Sequence, residues 1–195
     1  MGRRRGQEVA YGLFALMTLL LLVSCTPLVL GGTATSASIA DDHRSVGAVV
    51  NDAWIKLRAE ALIAADKRLH HASHIDVTSV DGLVLLTGEA ARIEDRNKVL
   101  TIVRRIKGIR RIVDQLRIAP PSSFGARLAD SWITLRVKSA LLADGLDANP
   151  IKVVTAHRVV YLLGLVPPAI GNKAARAASR IPHVRSIVEL FENRS

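Results

Sequence analysis

One thiol, six histidines and no recognisable catalytic motif bound the chemistry open to this chain. Cys25 is the only cysteine in 195 residues, so it has no partner for an internal disulfide and cannot build a zinc site alone. What distinguishes it is position, directly behind the apolar run in "LLLLVSC" at residues 19–25. His70, His71 and His74 lie close together in "HHASH", but no cysteine or carboxylate pattern with ligand spacing accompanies them. The expectation there is a polar loop between a helix and a strand, with no metal. The sequence contains no G-x-S-x-G, H-E-x-x-H or G-x-x-x-x-G-K-[ST] pattern. The chain therefore reads as non-enzymatic, with no catalytic residue and no cofactor.

The residues ahead of Cys25 explain its place. Arg3, Arg4 and Arg5 are followed by an apolar stretch over about residues 9–22, the layout of a secretory leader. That stretch is short for a membrane-spanning helix. Leu22-Val23-Ser24-Cys25 resembles the bacterial lipobox. The resemblance implies a diacylglyceryl thioether on Cys25, cleavage before it, and acylation of the freed amine by a fatty acid such as palmitate. The other reading is an uncleaved anchor helix with an incidental cysteine. Thr26 stands where Asp usually retains a lipoprotein at the inner membrane, so the same resemblance favours the outer membrane, with the chain facing the periplasm.

Formal net charge is +10, and a leader with three arginines and one glutamate would leave roughly +8 on the remainder. Export removes nucleic acid as a partner. An exported basic protein meets anionic lipid, polyanionic envelope polymers or an acidic protein instead.

After Cys25, the small and glycine-containing stretch "TPLVLGGTATSASIADDHRSVGA" reads as a flexible tether. Two copies of one pattern follow. "DAWIKLRAEALIAAD" begins at Asp52 and "DSWITLRVKSALLAD" at Asp130; "HIDVTSVDGLVLLTGEA" answers to "PIKVVTAHRVVYLLGLV", and "RIKGIRRIVDQLRI" to "RIPHVRSIVELFEN". The expected division is a leader over 1–24, a lipidated tether over 25–50, a first domain over 51–118, a linker over 119–129 around Pro120-Pro121, and a second domain over 130–193.

Within each copy the hydrophobic periods give helix, strand, strand, helix, strand. Ile55, Ala59 and Leu62 share a helical face, as do Ile133, Val137, Ala140 and Leu141. Asp81-Gly82 joins two apolar runs as a hairpin. Ile93, Val99, Leu100, Val103 and Ile106 are expected along one face of the next helix, and Ile112, Leu116 and Ile118 on one side of the last strand. The fold class is α+β: two tandem αββαβ domains, each a small three-stranded mixed sheet covered by two helices.

This order, the duplication, Gly88 and Gly164 closing the second strand, the lipobox, "RSVG" and "DSWIT" together resemble the BON-domain family, and within it the dual-domain outer-membrane lipoproteins. The resemblance covers nearly all of the chain after Cys25. It implies no enzymatic activity. It implies support of outer-membrane integrity and contact with anionic phospholipid through the first helix of the second domain, where Trp132 matches the lipid-contacting tryptophan. Three departures stand out. His157-Arg158 replaces the Asn-Gly or Asp-Gly usual in the hairpin, Pro182-His183 replaces a glycine before the last strand, and Trp54 is an extra tryptophan in the first copy.

On the helix that starts at Asp130, Trp132 and Leu135 form a second stripe beside the core row, and Leu142 extends it. Arg136 and Lys138 flank that stripe. An apolar ridge with cationic edges suits the headgroup boundary of an anionic bilayer. Trp132 completing the core or packing between the two copies is the competing reading. It goes with a different function: a periplasmic protein-binding adaptor or chaperone-like stress protein without direct lipid contact. Arg104, Arg105, Lys107, Arg110 and Arg111 form the densest basic cluster, readable as a solvated helix end or as an anion-binding patch.

Overall fold

Ile55, Ala59 and Ile63 repeat every fourth position, and they are the buried row of the first helix, α1 (Val46–Ala64). The computed structural model describes residues 46–193. The expected leader, Cys25 and most of the expected tether lie outside them. α1 begins at Val46, ahead of the repeat boundary and inside the stretch expected as tether.

A second, short helix follows where a loop was expected: α2 (Lys67–Ala72). Its cause is local. The Asp66 side chain accepts from the Arg68 and Leu69 backbone N–H groups at 3.1 Å each, and Leu69 is buried beneath. His70 and His71 sit exposed on α2, while His74 belongs to the next strand. Among the described residues no group of His, Cys, Asp or Glu is placed to hold a metal ion.

β1 (Ser73–Val80) and β2 (Leu83–Ala90) pair antiparallel. The turn between them has positive φ at Asp81 (50°) and Gly82 (74°), as a type I′ hairpin requires. α3 (Ile93–Arg104) then crosses over so that β3 (Arg111–Asp114) and β4 (Arg117–Ile118) lie parallel to β2. The second copy repeats the order: α4 (Phe124–Ala143), β5 (Lys152–Ala156), β6 (Val159–Leu165), α5 (Pro168–Ser179) and β7 (Ser186–Glu192), with β6 central.

Two apolar residues fall off their expected faces. Ile93 is exposed because it lies six positions before Val99, about 120° around α3 from the buried row of Val99 and Val103. Ile118 is exposed because the last strand of the first domain breaks after Asp114. That carboxylate accepts from the Leu116 N–H at 3.0 Å and from Arg96 Nε at 2.8 Å, so the chain leaves the ladder, buries Leu116 and resumes as β4. α4 also starts early, at Phe124 within the expected linker, where Ser123 Oγ accepts from the Ala126 N–H at 3.2 Å.

Strand residues alternate between two buried faces. Val84 and Leu86 face the helices of the first domain, and Val160 and Leu162 those of the second. The alternate residues, Val80, Leu83 and Leu85 with Tyr161, Leu163 and Leu190, form a third core shared by both domains. The sheets therefore stack back to back, with helices on the two outer layers. Near-continuous apolar runs such as "LVLL" and "VVYLL" follow from burial on both faces. Polar and charged side chains bracket this shared core. Arg110 binds Asp81 and reaches across to Glu192, at 2.6 Å each, and His157 Nε2 lies 3.1 Å from the buried Glu89.

Tyr161 is the only tyrosine after Tyr11, and burial in the shared core pushes its phenol above the ordinary value of 10.0. A phenol is neutral when protonated. The stability gained by keeping it neutral is thus complete below about pH 10 and lost as pH rises through the raised folded value. Phenolate absorbance is expected to appear at higher pH in the folded chain than in urea, and Tyr161→Phe should flatten the alkaline loss of stability relative to wild type.

Candidate functional site

Each copy of the opening D-x-W triplet starts with a carboxylate turned toward the sheet. Asp52 accepts from Ser79 Oγ at 2.6 Å, the Asp81 N–H at 2.6 Å and the Gly82 N–H at 2.9 Å. Asp130 accepts from the His157 and Arg158 N–H groups, both at 2.8 Å. Each aspartate thereby ties the first helix of its domain to the hairpin turn. A side chain two positions further on lies about 200° around the helix. With the aspartate held inward, the tryptophan must face out.

Trp54 is 48% exposed and Trp132 57%. Neither packs between the copies, the place the competing reading gave them; apolar strand residues fill it instead. On α4, Trp132 stands in an exposed row with Phe124, Leu128, Leu135 and Leu142, opposite the buried Ile133, Val137 and Leu141. Gly125, Leu128, Ala129, Ser131, Trp132 and Leu135 line a shallow apolar groove along it. Phe124 and Leu128 were not foreseen, since the helix was expected to begin at Asp130. Ser123 was the available signal, a capping residue ahead of an apolar one.

The charges on this helix have one sign on the outside. Asp130 is the only acid between Phe124 and Ala143 and it is engaged with the turn. Arg136 and Lys138 are exposed, and the Arg136 guanidinium carbon lies 5.9 Å from the Trp132 ring centroid, within cation–π range. Trp132, Leu135, Arg136, Lys138 and Leu142 are thus all exposed on one helix.

Gly88 and Gly164 allow neighbouring segments of their own sheets to approach closely, at equivalent points in the two domains. A Cβ on Gly88 would lie 2.0 Å from the His74 carbonyl oxygen, and one on Gly164 2.2 Å from that of Pro150. No other residue type allows the strands to approach so closely. The basic cluster of the first domain is divided: Arg110 turns to Asp81 and Glu192, while Arg104, Arg105 and Lys107 remain exposed at the end of α3.

The sequence profile of the BON domain matches this chain twice, over residues 51–120 and 129–193. Among curated proteins, "Outer membrane lipoprotein DolP" of Haemophilus influenzae is 29% identical over 172 residues, covering 88% of this chain and 89% of its own. "21 kDa hemolysin" of Actinobacillus pleuropneumoniae is 29% identical over 151 residues, covering 77% and 78%. A solved structure of CdsD, a structural protein of the type III secretion system of Chlamydia trachomatis, shares 12% identity over 74% of this chain and 65% of its own, with a TM-score of 0.30.

Loss of the aspartate clamp should be costly where the turn lacks glycine. His157 and Arg158 have φ of 52° and 63°. Asp130→Ala removes two charge-assisted bonds from this strained turn and is expected to lower stability by about 2–3 kcal/mol in urea unfolding. Adding Arg158→Gly should restore about 1 kcal/mol by relieving the left-handed backbone.

Proposed function

We propose that this chain, which belongs to the BON domain family, is a lipid-anchored, non-enzymatic envelope protein whose second domain binds anionic phospholipid and supports outer-membrane integrity. The observation that carries the reading is the outward row of α4, apolar along its crest, with Arg136 and Lys138 as the exposed charges beside it. This row offers an apolar, positively bordered surface suited to shallow insertion at the headgroup boundary. Tryptophan is well placed there, and each nearby cation gains about 1 kcal/mol close to an anionic surface.

Anchoring comes from the other end of the chain. Cys25 carries the acyl groups in this reading; two or more chains hold a protein stably where one holds it only marginally. Among the described residues no helix is long and apolar enough to cross a membrane. The outer membrane is the destination that Thr26 and the name of the Haemophilus relative favour. Tethering keeps the second domain near the lipid, so a weak surface contact suffices.

Two tests follow. Cys25→Ala should abolish palmitate incorporation and release the protein from the outer-membrane fraction; palmitate labelling that persists would overturn the anchor. For lipid contact, residues 26–195 without acyl groups are titrated with phosphatidylglycerol vesicles. Trp132→Glu removes an aromatic contact and adds a repelled charge, together about 3 kcal/mol at that face. Vesicle affinity is expected to fall at least tenfold, and unchanged affinity would overturn the role of α4.

A further inference from the structure

The first domain carries the same kind of surface, and it points the other way. Val46, Val50, Trp54 and Leu57 are all exposed on α1, at spacings of four, four and three residues. They lie on the side of the helix away from the buried Ile55, Ala59 and Ile63. An exposed apolar row of this length on an ordinary helix marks an interaction surface. Trp54 lies there by the same constraint as Trp132, because Asp52 is held inward by the hairpin turn.

Charge identifies the occupant. Lys56 and Arg58 border the row on α1 itself, with Lys56 3.7 Å from Glu60. The exposed Arg104, Arg105 and Lys107 end α3 just before Gly108, and a Cβ at Gly108 would lie 2.8 Å from the side chain of Asn51, one turn ahead of Trp54. The basic end of α3 therefore adjoins the apolar row. Among the described residues, Arg58, Arg104, Arg105 and Lys107 form no ion pair, so their charge is available to a partner. An apolar crest beside unpaired cations, on a chain of formal net charge +10, fits an anionic bilayer better than a second copy of the same basic chain.

Layering decides what this adds. The sheets meet back to back and the helices lie outside them, so the rows on α1 and α4 face opposite ways. A single flat bilayer receives one of them at a time. We propose that the α1 face, with Trp54 at its centre and Arg104, Arg105 and Lys107 at its edge, is a second docking face for anionic phospholipid. One molecule then holds two bilayer surfaces together. This rests on the reading of α4 given above as the first of the two faces.

Residues 26–195, which include the whole of both domains, are mixed with phosphatidylglycerol vesicles and, as a control, phosphatidylcholine vesicles. Light scattering reads clustering, co-sedimentation reads binding, and circular dichroism checks that each variant is folded. Wild type is expected to cluster the anionic vesicles only. Trp54→Glu should abolish clustering while vesicle affinity stays within twofold, and the combined Arg104→Glu, Arg105→Glu and Lys107→Glu chain should behave likewise. Trp132→Glu should also abolish clustering and leave weak binding, a tenth or less of wild type, that disappears when Trp54→Glu is added. In a Trp132→Phe chain, the emission of Trp54 should shift to the blue on anionic vesicles. Wild type that binds without clustering, Trp54→Glu that clusters normally, or Trp132→Glu that loses all binding would overturn the second face and leave the reading of α4 intact. Full binding by Trp132→Glu, with loss on Trp54→Glu, would overturn the reading of α4 and keep the α1 face.

Discussion

In each domain a single carboxylate determines how the first helix is rolled against its sheet. Asp52 and Asp130 accept the backbone N–H groups of the hairpin turn between the first two strands, across more than twenty residues of sequence. The bonds are charge-assisted and directional, so the aspartate cannot rotate outward without leaving turn donors unpaired. Everything on the helix is then placed by its angular offset from that residue. The core row falls inward at three, seven and eleven positions further on, and the tryptophan at two falls outward. An aromatic residue in so small a domain would ordinarily be drawn into the core; here the clamp and the core row together leave no inward position for it.

The second constraint is size. Each copy is near the lower limit at which one hydrophobic core folds alone. Stacking the sheets supplies a shared third core and buries the faces that the helices leave uncovered. The hairpin turns close its ends. One sends Asp81 through Arg110 to Glu192, and the other sends His157 to Glu89. The non-glycine turn of the second copy, unusual when seen as sequence, thereby has a use: a glycine or asparagine at position 157 would not reach the other domain.

Much of this was legible in the residues. The duplication, the αββαβ order, the Asp81-Gly82 turn and the inward rows of α1 and α4 follow from period and turn chemistry alone. What escaped depended on partners distant in sequence. Asp52 and Asp130 were visible as repeated residues, but their acceptor role needs the turn brought beside them. The break after Asp114 needs Arg96, and with it the exposure of Ile118. α2 was hidden behind three histidines that read as a loop, although Asp66 is a recognisable cap. The back-to-back sheets did leave a trace, in strands apolar at successive rather than alternate positions. For the α4 surface the five residues chosen from sequence all lie exposed, while Phe124 and Leu128 were lost to a boundary placed at the start of the repeat instead of at Ser123.

The carboxylate clamp also separates backbone shape from side-chain identity at the turn. Positions 157 and 158 sit in the left-handed region without glycine, at φ of 52° and 63°, because Asp130 stabilises the conformation from outside. Position 158 is then free to vary in composition as long as the distant acid is kept, while 157 is held by its reach to Glu89. Both sites thereby carry large side chains where a self-sufficient hairpin would tolerate only the smallest.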